Sequence, residues 1–177
     1  MRIGVIKEMA AGENRVAATP ETAKKFTALG YDVVVQSGAG TAASYPDDQY
    51  TAAGATVAAS AADALKEADI VLKVIAPTAD EAGLMKSGAM VLAAFAPHTN
   101  DNLDTYAAKN LTCVAMELIP RITRAQSSDI LSSQANVAGY KAVLMAANEY
   151  QRMFPMLMTA AGTVKPARVV VLGVGVT

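Results

Sequence analysis

The chain has 177 residues, with 15 Lys+Arg against 16 Asp+Glu, one His, one Cys and no Trp. That near-neutral balance, without a basic stripe, argues against nucleic acid as a partner, and one cysteine excludes a disulfide framework or a cysteine zinc cluster. With 53% hydrophobic and 18% charged residues the chain is not expected to be disordered, yet no apolar run reaches the ~20 residues that span a bilayer.

The mean hydropathy of +0.27 owes much to alanine, and the longest apolar runs, Ala89–Ala96 and Val169–Val176, have strand length. Lys7 and Glu8 interrupt the first apolar stretch, so no secretory signal opens the chain. The expectation is a soluble cytoplasmic protein.

Short apolar runs alternate with helix signals in chain order. Strands are expected at Arg2–Ile6, Asp32–Gln36, Asp69–Ile75, Ala89–Phe95, Leu111–Met116 and Arg168–Leu172, with a weaker one at Thr56–Ala58. Thr19-Pro20-Glu21 reads as an N-cap, a first-turn proline and an early acid, with Gly30 as the stop. Shorter helices are expected at Asp47–Ala53, Ala61–Ala68, Asp80–Met85 and Asn102–Lys109. Uncharged Val/Ile/Leu-rich strands between helices predict an α/β, doubly wound and mainly parallel Rossmann/flavodoxin-like sheet, with helices on both faces.

The pattern changes after Met116. Glu117–Asp129 is polar, and a long helix is expected over Ile130–Phe154, with Val137, Tyr140, Leu144 and Ala147 on one stripe. Pro155 and the Gly162…Pro166 stretch then break the pattern, and the methionines at 145, 153, 156 and 158 read as packing around the helix. The expected organisation is an N-terminal α/β subdomain at 1–128, a bridging helix and connector at 129–166, and the first strand of a second, truncated Rossmann subdomain at 167–177.

Several features could carry chemistry. Gly173-x-Gly175 after a β-branched run opens a dinucleotide fingerprint, whose third glycine would fall beyond Thr177. The alternative is a glycine turn that ends a buried strand. Pro120–Asp129 follows a strand, so it lies at the carboxyl edge of the sheet, where open α/β folds bind ligands. There Arg121 could pair with Asp129 and lower its pKa, and Gln126 offers a donor and an acceptor to an amide such as a nicotinamide carboxamide. Ser132 could add a hydroxyl to the same face, while the blander reading is a solvated linker with Ser128 or Asp129 as a helix cap. His98 could be a general acid/base or a plain loop residue, and Cys113 reads as inert core. Lys73 could meet an anion or form an internal pair with Glu8, Glu13 or Glu117. No metal site is expected.

Met1-Arg2-Ile3-Gly4-Val5 together with Glu13–Pro20 resembles the start of the alanine dehydrogenase/transhydrogenase superfamily. Pro120–Ser127, continuing through Leu131–Tyr140, resembles the nucleotide-site loop and following helix of the alpha subunit of proton-translocating NAD(P) transhydrogenases. Thr159–Val164 and Pro166-Ala167-Arg168 are similar to the same family's approach to its fingerprint.

The resemblance implies that Arg121, Gln126 and Asp129 position the nicotinamide and that Ser132 contacts its carboxamide. It places Ile122 and Thr123 at the cofactor, and Val174, Gly175 and Val176 at the pyrophosphate. It further implies NAD(H) on this component and NADP(H) on a partner, with direct hydride transfer between them coupled to proton translocation. Membrane-spanning and NADP(H)-binding subunits would be the partners, a homodimer the assembly, and the cytoplasmic face of the inner membrane the location, with no direct insertion. This piece alone is expected to be inactive. An alanine dehydrogenase-like oxidoreductase is the enzymatic alternative, since Arg15 and Lys73 look similar there. That family's catalytic histidine, however, aligns with about Ala94, four residues before His98. A non-catalytic scaffold or dimerisation domain is the other alternative.

Overall fold

β-branched residues pair into strands at nearly all the expected places. The computed structural model describes every residue except Val174, Val176 and Thr177. Arg2–Val5 (β1), Asp32–Gln36 (β2), Thr56–Ala58 (β3), Ile70–Ile75 (β4), Met90–Ala94 (β5) and Thr112–Ala115 (β6) form one sheet in the order β3-β2-β1-β4-β5-β6. All its pairings are parallel. This is the doubly wound order, whose direction of winding reverses between β1 and β4.

Helices cover both faces. Pro20–Ala28 (α1) and Asp47–Ala52 (α2) pack with one buried cluster, while Ala61–Leu65 (α3), Ala79–Leu84 (α4) and Leu103–Ala108 (α5) pack with the other. Each cluster is pinned by a buried tyrosine that donates to a loop carbonyl: Tyr50 to Ala18, Tyr106 to Pro77. Thr19, Ser60 and Thr78 cap α1, α3 and α4 through their side chains, which satisfies amide groups that a helix start leaves unpaired. Gly4 in β1 is needed for close approach, because a Cβ there would lie 2.8 Å from the Ala64 carbonyl oxygen of α3.

The chain divides into two compact units, Met1–Ile119 and Pro120–Thr177. The second contains a 3₁₀ segment at Thr123–Ser128, the helix Ile130–Glu149 (α6) and an antiparallel hairpin of Leu157–Thr159 (β7) and Gly162–Val164 (β8). The sequence predicts only a plain connector where the hairpin stands. Helix α6 stops five residues before the expected Phe154, and Gln151 takes a left-handed φ of 56°. Pro155 supplies the reason: its ring clashes with the carbonyl four residues back, so the helix must end near residue 151.

Three further expectations are corrected, and one stripe forms without cover. Arg168–Leu172 is not a strand among the described residues; it pairs with nothing, and Leu172 is 95% exposed. A β segment exists only through ladder partners, and propensity alone does not hold one in water. The stripe of Val137, Tyr140, Leu144 and Ala147 forms on α6 but is exposed, and α6 has no buried residue. The methionines at 145, 153, 156 and 158 are likewise exposed, because a lone helix and a two-stranded hairpin offer too little surface to make a core. Cys113 is exposed on edge strand β6, which no α-helix of the first unit follows to cover it.

Candidate functional site

In the first unit the chemistry gathers around the switch point between β1 and β4. Lys73, on β4, is buried with its ammonium 3.2 Å from Glu8 Oε2 and 3.0 Å from Glu81 Oε1. Glu8 Oε1 accepts the Val74 N–H at 2.7 Å, and Glu81 Oε2 accepts the Thr78 N–H at 2.8 Å. All four carboxylate oxygens therefore have a donor. Glu8 was among the expected partners of Lys73, but Glu81 was missed. Its signal was legible as a capping box, since Thr78-x-x-Glu81 pairs side chain and backbone reciprocally at the start of α4.

The other two expected partners of Lys73 are engaged elsewhere. Glu13 takes Arg15 in a two-point pair, with contacts of 2.8 and 2.6 Å. The hydrogen bond from the Arg15 guanidinium lowers the Glu13 pKa, and the same bond raises that of Arg15. Glu117 reaches back to the end of β5, where its Oε1 accepts the Ala96 N–H at 2.5 Å. His98 lies in the exposed turn after β5, away from the strand itself.

In the second unit the polar loop folds as a 3₁₀ segment ending at Asp129. Arg121, Ile122, Thr123 and Gln126 are exposed. Asp129 is the N-cap of α6 and accepts from the Leu131 and Ser132 amides at 3.0 and 2.9 Å. The Ser132 hydroxyl lies 2.5 Å from Asp129 Oδ2 and donates to it. The anticipated Arg121–Asp129 ion pair is not formed among the described residues. Asp129 instead spends its oxygens on the helix start, which leaves Arg121 as a more distant charge. The blander reading of Asp129 as a cap and the ligand-site reading thus fall on the same residues.

This cap has a measurable signature. The Ser132 hydroxyl, then its amide, hold the Asp129 pKa below the usual aspartate value of 3.8. A carboxyl depressed by folding adds stability above its unfolded pKa and loses it as pH falls through the folded value. The start of α6 should therefore hold at neutral pH and loosen only below pH 3.8. A carbon-detected NMR titration should show this, with Ser132→Ala moving the Asp129 midpoint upward. An unmoved midpoint would show that the hydroxyl does not set it.

Because the Ser132 proton is committed to Asp129, its Oγ has acceptor capacity left. Among the described residues the Gln126 side-chain amide takes no partner, so its donors and acceptor are both available. Ser132 thus keeps a half-buried acceptor and Gln126 an exposed amide. Gly175 is exposed, with open space where a Cβ would stand. Val174 and Val176 lie outside the described residues. No group of three or more His, Cys, Asp or Glu among the described residues could hold a metal ion, and none of their helices is long and apolar enough to cross a membrane.

Comparison with known proteins gives the family. The alanine dehydrogenase/PNT N-terminal domain profile matches residues 4–138, and its C-terminal domain profile matches residues 142–177. An NAD(P) transhydrogenase alpha-subunit protein of Rhodospirillum rubrum is 52% identical over 99% of this chain and 47% of its own length. An alanine dehydrogenase of Halomonas elongata is 35% identical over 99% of this chain and 48% of its own. The crystal structure of a transhydrogenase from Sinorhizobium meliloti superposes with a TM-score of 0.89 at 51% identity, covering 94% of this chain and 50% of that one. The chain thus spans about half the length of the relatives it matches. With both domain profiles matched in order along it, the chain belongs to the alanine dehydrogenase/PNT family.

Proposed function

We propose that this chain is part of the NAD(H)-binding alpha component of a proton-translocating transhydrogenase. The observation that carries the proposal is the Gln126–Asp129–Ser132 arrangement at the start of α6, where an unpartnered amide and a spare hydroxyl acceptor stand on a rigid cap. Those groups fit a nicotinamide carboxamide, whose N–H₂ needs acceptors and whose carbonyl needs a donor. The dinucleotide, when bound, supplies the hydride.

The protein's own residues have a positional task. Direct transfer between two nicotinamides needs no side-chain acid or base, only donor and acceptor carbons held at ~3–3.5 Å. On this reading the Gln126 amide holds the carboxamide, Ser132 Oγ accepts from its N–H₂, and the Asp129 cap fixes both. Arg121, Ile122 and Thr123 frame the loop, and the backbone at Val174, Gly175 and Val176 approaches the pyrophosphate. NADP(H) sits on a partner component, and membrane-spanning partners couple the transfer to proton movement. The component would be a homodimer at the cytoplasmic face of the inner membrane.

One observation weighs against an alanine dehydrogenase activity. Lys73 is buried between Glu8 and Glu81, so its charge is not offered to a substrate, and the family resemblance puts that enzyme's histidine at about Ala94. The complete component, mixed with its NADP(H)-binding partner, should transfer hydride from NADH to an NADP⁺ analogue. Absence of transfer, with NADH oxidised instead by pyruvate and ammonia without any partner protein, would overturn the reading.

A further inference from the structure

Charge is divided unevenly along the chain. Met1–Ile119 carries nine Lys/Arg against 14 Asp/Glu, whereas Pro120–Thr177 carries six against two. Six of the nine cations of the first unit form ion pairs, while among the described residues none of the six in the second does. The two carboxylates of the second unit do not neutralise its loop. Asp129 is committed to the start of α6, and Glu149 ends that helix, roughly 30 Å away at ~1.5 Å of rise per residue.

The loop ahead of α6 holds two of these cations close together. Arg121 and Arg124 flank Ile122 and Thr123; both arginines are exposed, and neither makes a hydrogen bond or ion pair among the described residues. Ile122 between them is 54% exposed. Their position does not serve stability, because the start of a helix is its positive end, where cations are disfavoured. An exposed apolar side chain between unpaired arginines has instead the composition of an interface, where arginine is enriched and lysine depleted.

We infer that Arg124, with Arg121 and Ile122 beside it, docks an acidic surface of the NADP(H)-binding partner component. The inference rests on the transhydrogenase reading above. Transfer at ~3–3.5 Å brings the partner's nicotinamide to the one held at this loop, so the partner's surface meets the loop as well. Arg124 has no part in holding the nicotinamide, which leaves its charge for the second protein. A partner carboxylate can accept two parallel hydrogen bonds from the guanidinium, and the unneutralised charge steers the encounter before contact. The sign of that charge sets the class of partner, since a basic face would be repelled.

The test titrates the complete component with its NADP⁺-loaded partner component by calorimetry, at about 50 and about 500 mM salt. Arg124→Glu should raise the partner Kd about tenfold or more at the lower salt, and the difference should shrink to about threefold or less at the higher. Arg124→Lys, which keeps the charge but loses the planar fork, should lie between Arg124→Glu and the parent. Kd for NADH should stay within about twofold, and the melting temperature should match the parent. Lys165→Glu makes the same change of net charge outside the loop and should leave the partner Kd within about threefold.

Partner affinity of Arg124→Glu within twofold of the parent would overturn this inference alone. An equal loss with Lys165→Glu would also overturn it, by making net charge and not the loop the cause. A matching loss of NADH affinity would assign Arg124 to the nucleotide, and a changed oligomeric state on sedimentation would assign it to a second copy of the chain; either removes the docking role. Failure of the parent to bind both NADH and the partner would remove the transhydrogenase reading together with this inference.

Discussion

Lys73→Met should lower the melting temperature by roughly 6–20 °C, a loss of about 3–5 kcal/mol in a chain of this size. The side chains of Lys73 and Glu8 are each 2% exposed and that of Glu81 is 12% exposed, so solvent cannot take over when the ammonium is removed. Methionine fills much the same volume, which leaves the charge as the variable. Two carboxylates would remain buried beside β1 and α4, each with one backbone donor and no cation. The asymmetry gives the test its power: breaking a buried pair costs far more than replacing all of it with apolar groups. The triple variant Glu8→Gln, Glu81→Gln, Lys73→Met removes every buried charge and keeps an oxygen for each backbone donor, so it should recover part of the loss. Thermal unfolding followed by circular dichroism reads both, and a Lys73→Met shift within 2 °C of the parent (about 1 kcal/mol or less) would show that the charges are not buried together in solution.

Gln126→Asn should slow hydride transfer about 100-fold at saturating NADH while leaving the fold untouched. The substitution removes one methylene and draws the amide back by about 1.5 Å. Misplacement of about 1 Å is enough to cost ~10²-fold where positioning is the whole contribution to rate. Gln126 is exposed in the 3₁₀ segment and its side chain carries no contact of the cap, so stability should not change. Single-turnover transfer to an NADP⁺ analogue on the partner component separates chemistry from product release. A rate within twofold of the parent would sink the proposed role of Gln126, whatever the affinity did.

The first unit was legible because its signals are local and agree with one another. Asp32–Gln36 is uncharged at its centre and bounded by Gly30 and Gly38; it forms over the expected residues, with its centre buried. Thr19-Pro20-Glu21 starts α1 where the cap rule places it. The second unit was less legible. The stripe on α6 has helical period, and the helix forms, but period does not say whether a partner covers the stripe. Arg168–Leu172 has strand composition without ladder partners among the described residues, so composition there predicted an element that pairing does not supply.

Site residues divide in the same way. Arg121, Gln126, Asp129 and Ser132 were picked out from one polar run and a family resemblance, and chain proximity alone brings Asp129 and Ser132 together within one helical turn. Glu81 was missed although its capping box with Thr78 is a local signal, whereas Glu8 meets Lys73 and Glu117 meets Ala96 only across the sheet.

Periodicity, caps and breakers in the sequence by themselves determined the alternation of strands and helices, the doubly wound class and the polar loop ahead of α6. Those are short-range properties, fixed by backbone sterics and by which face of an element avoids water. Only the tertiary structure decided which charges share a buried pocket and which apolar stripe finds no cover. Each of these depends on desolvation, and desolvation is set by neighbours that the parallel crossovers bring from 20 or more residues away.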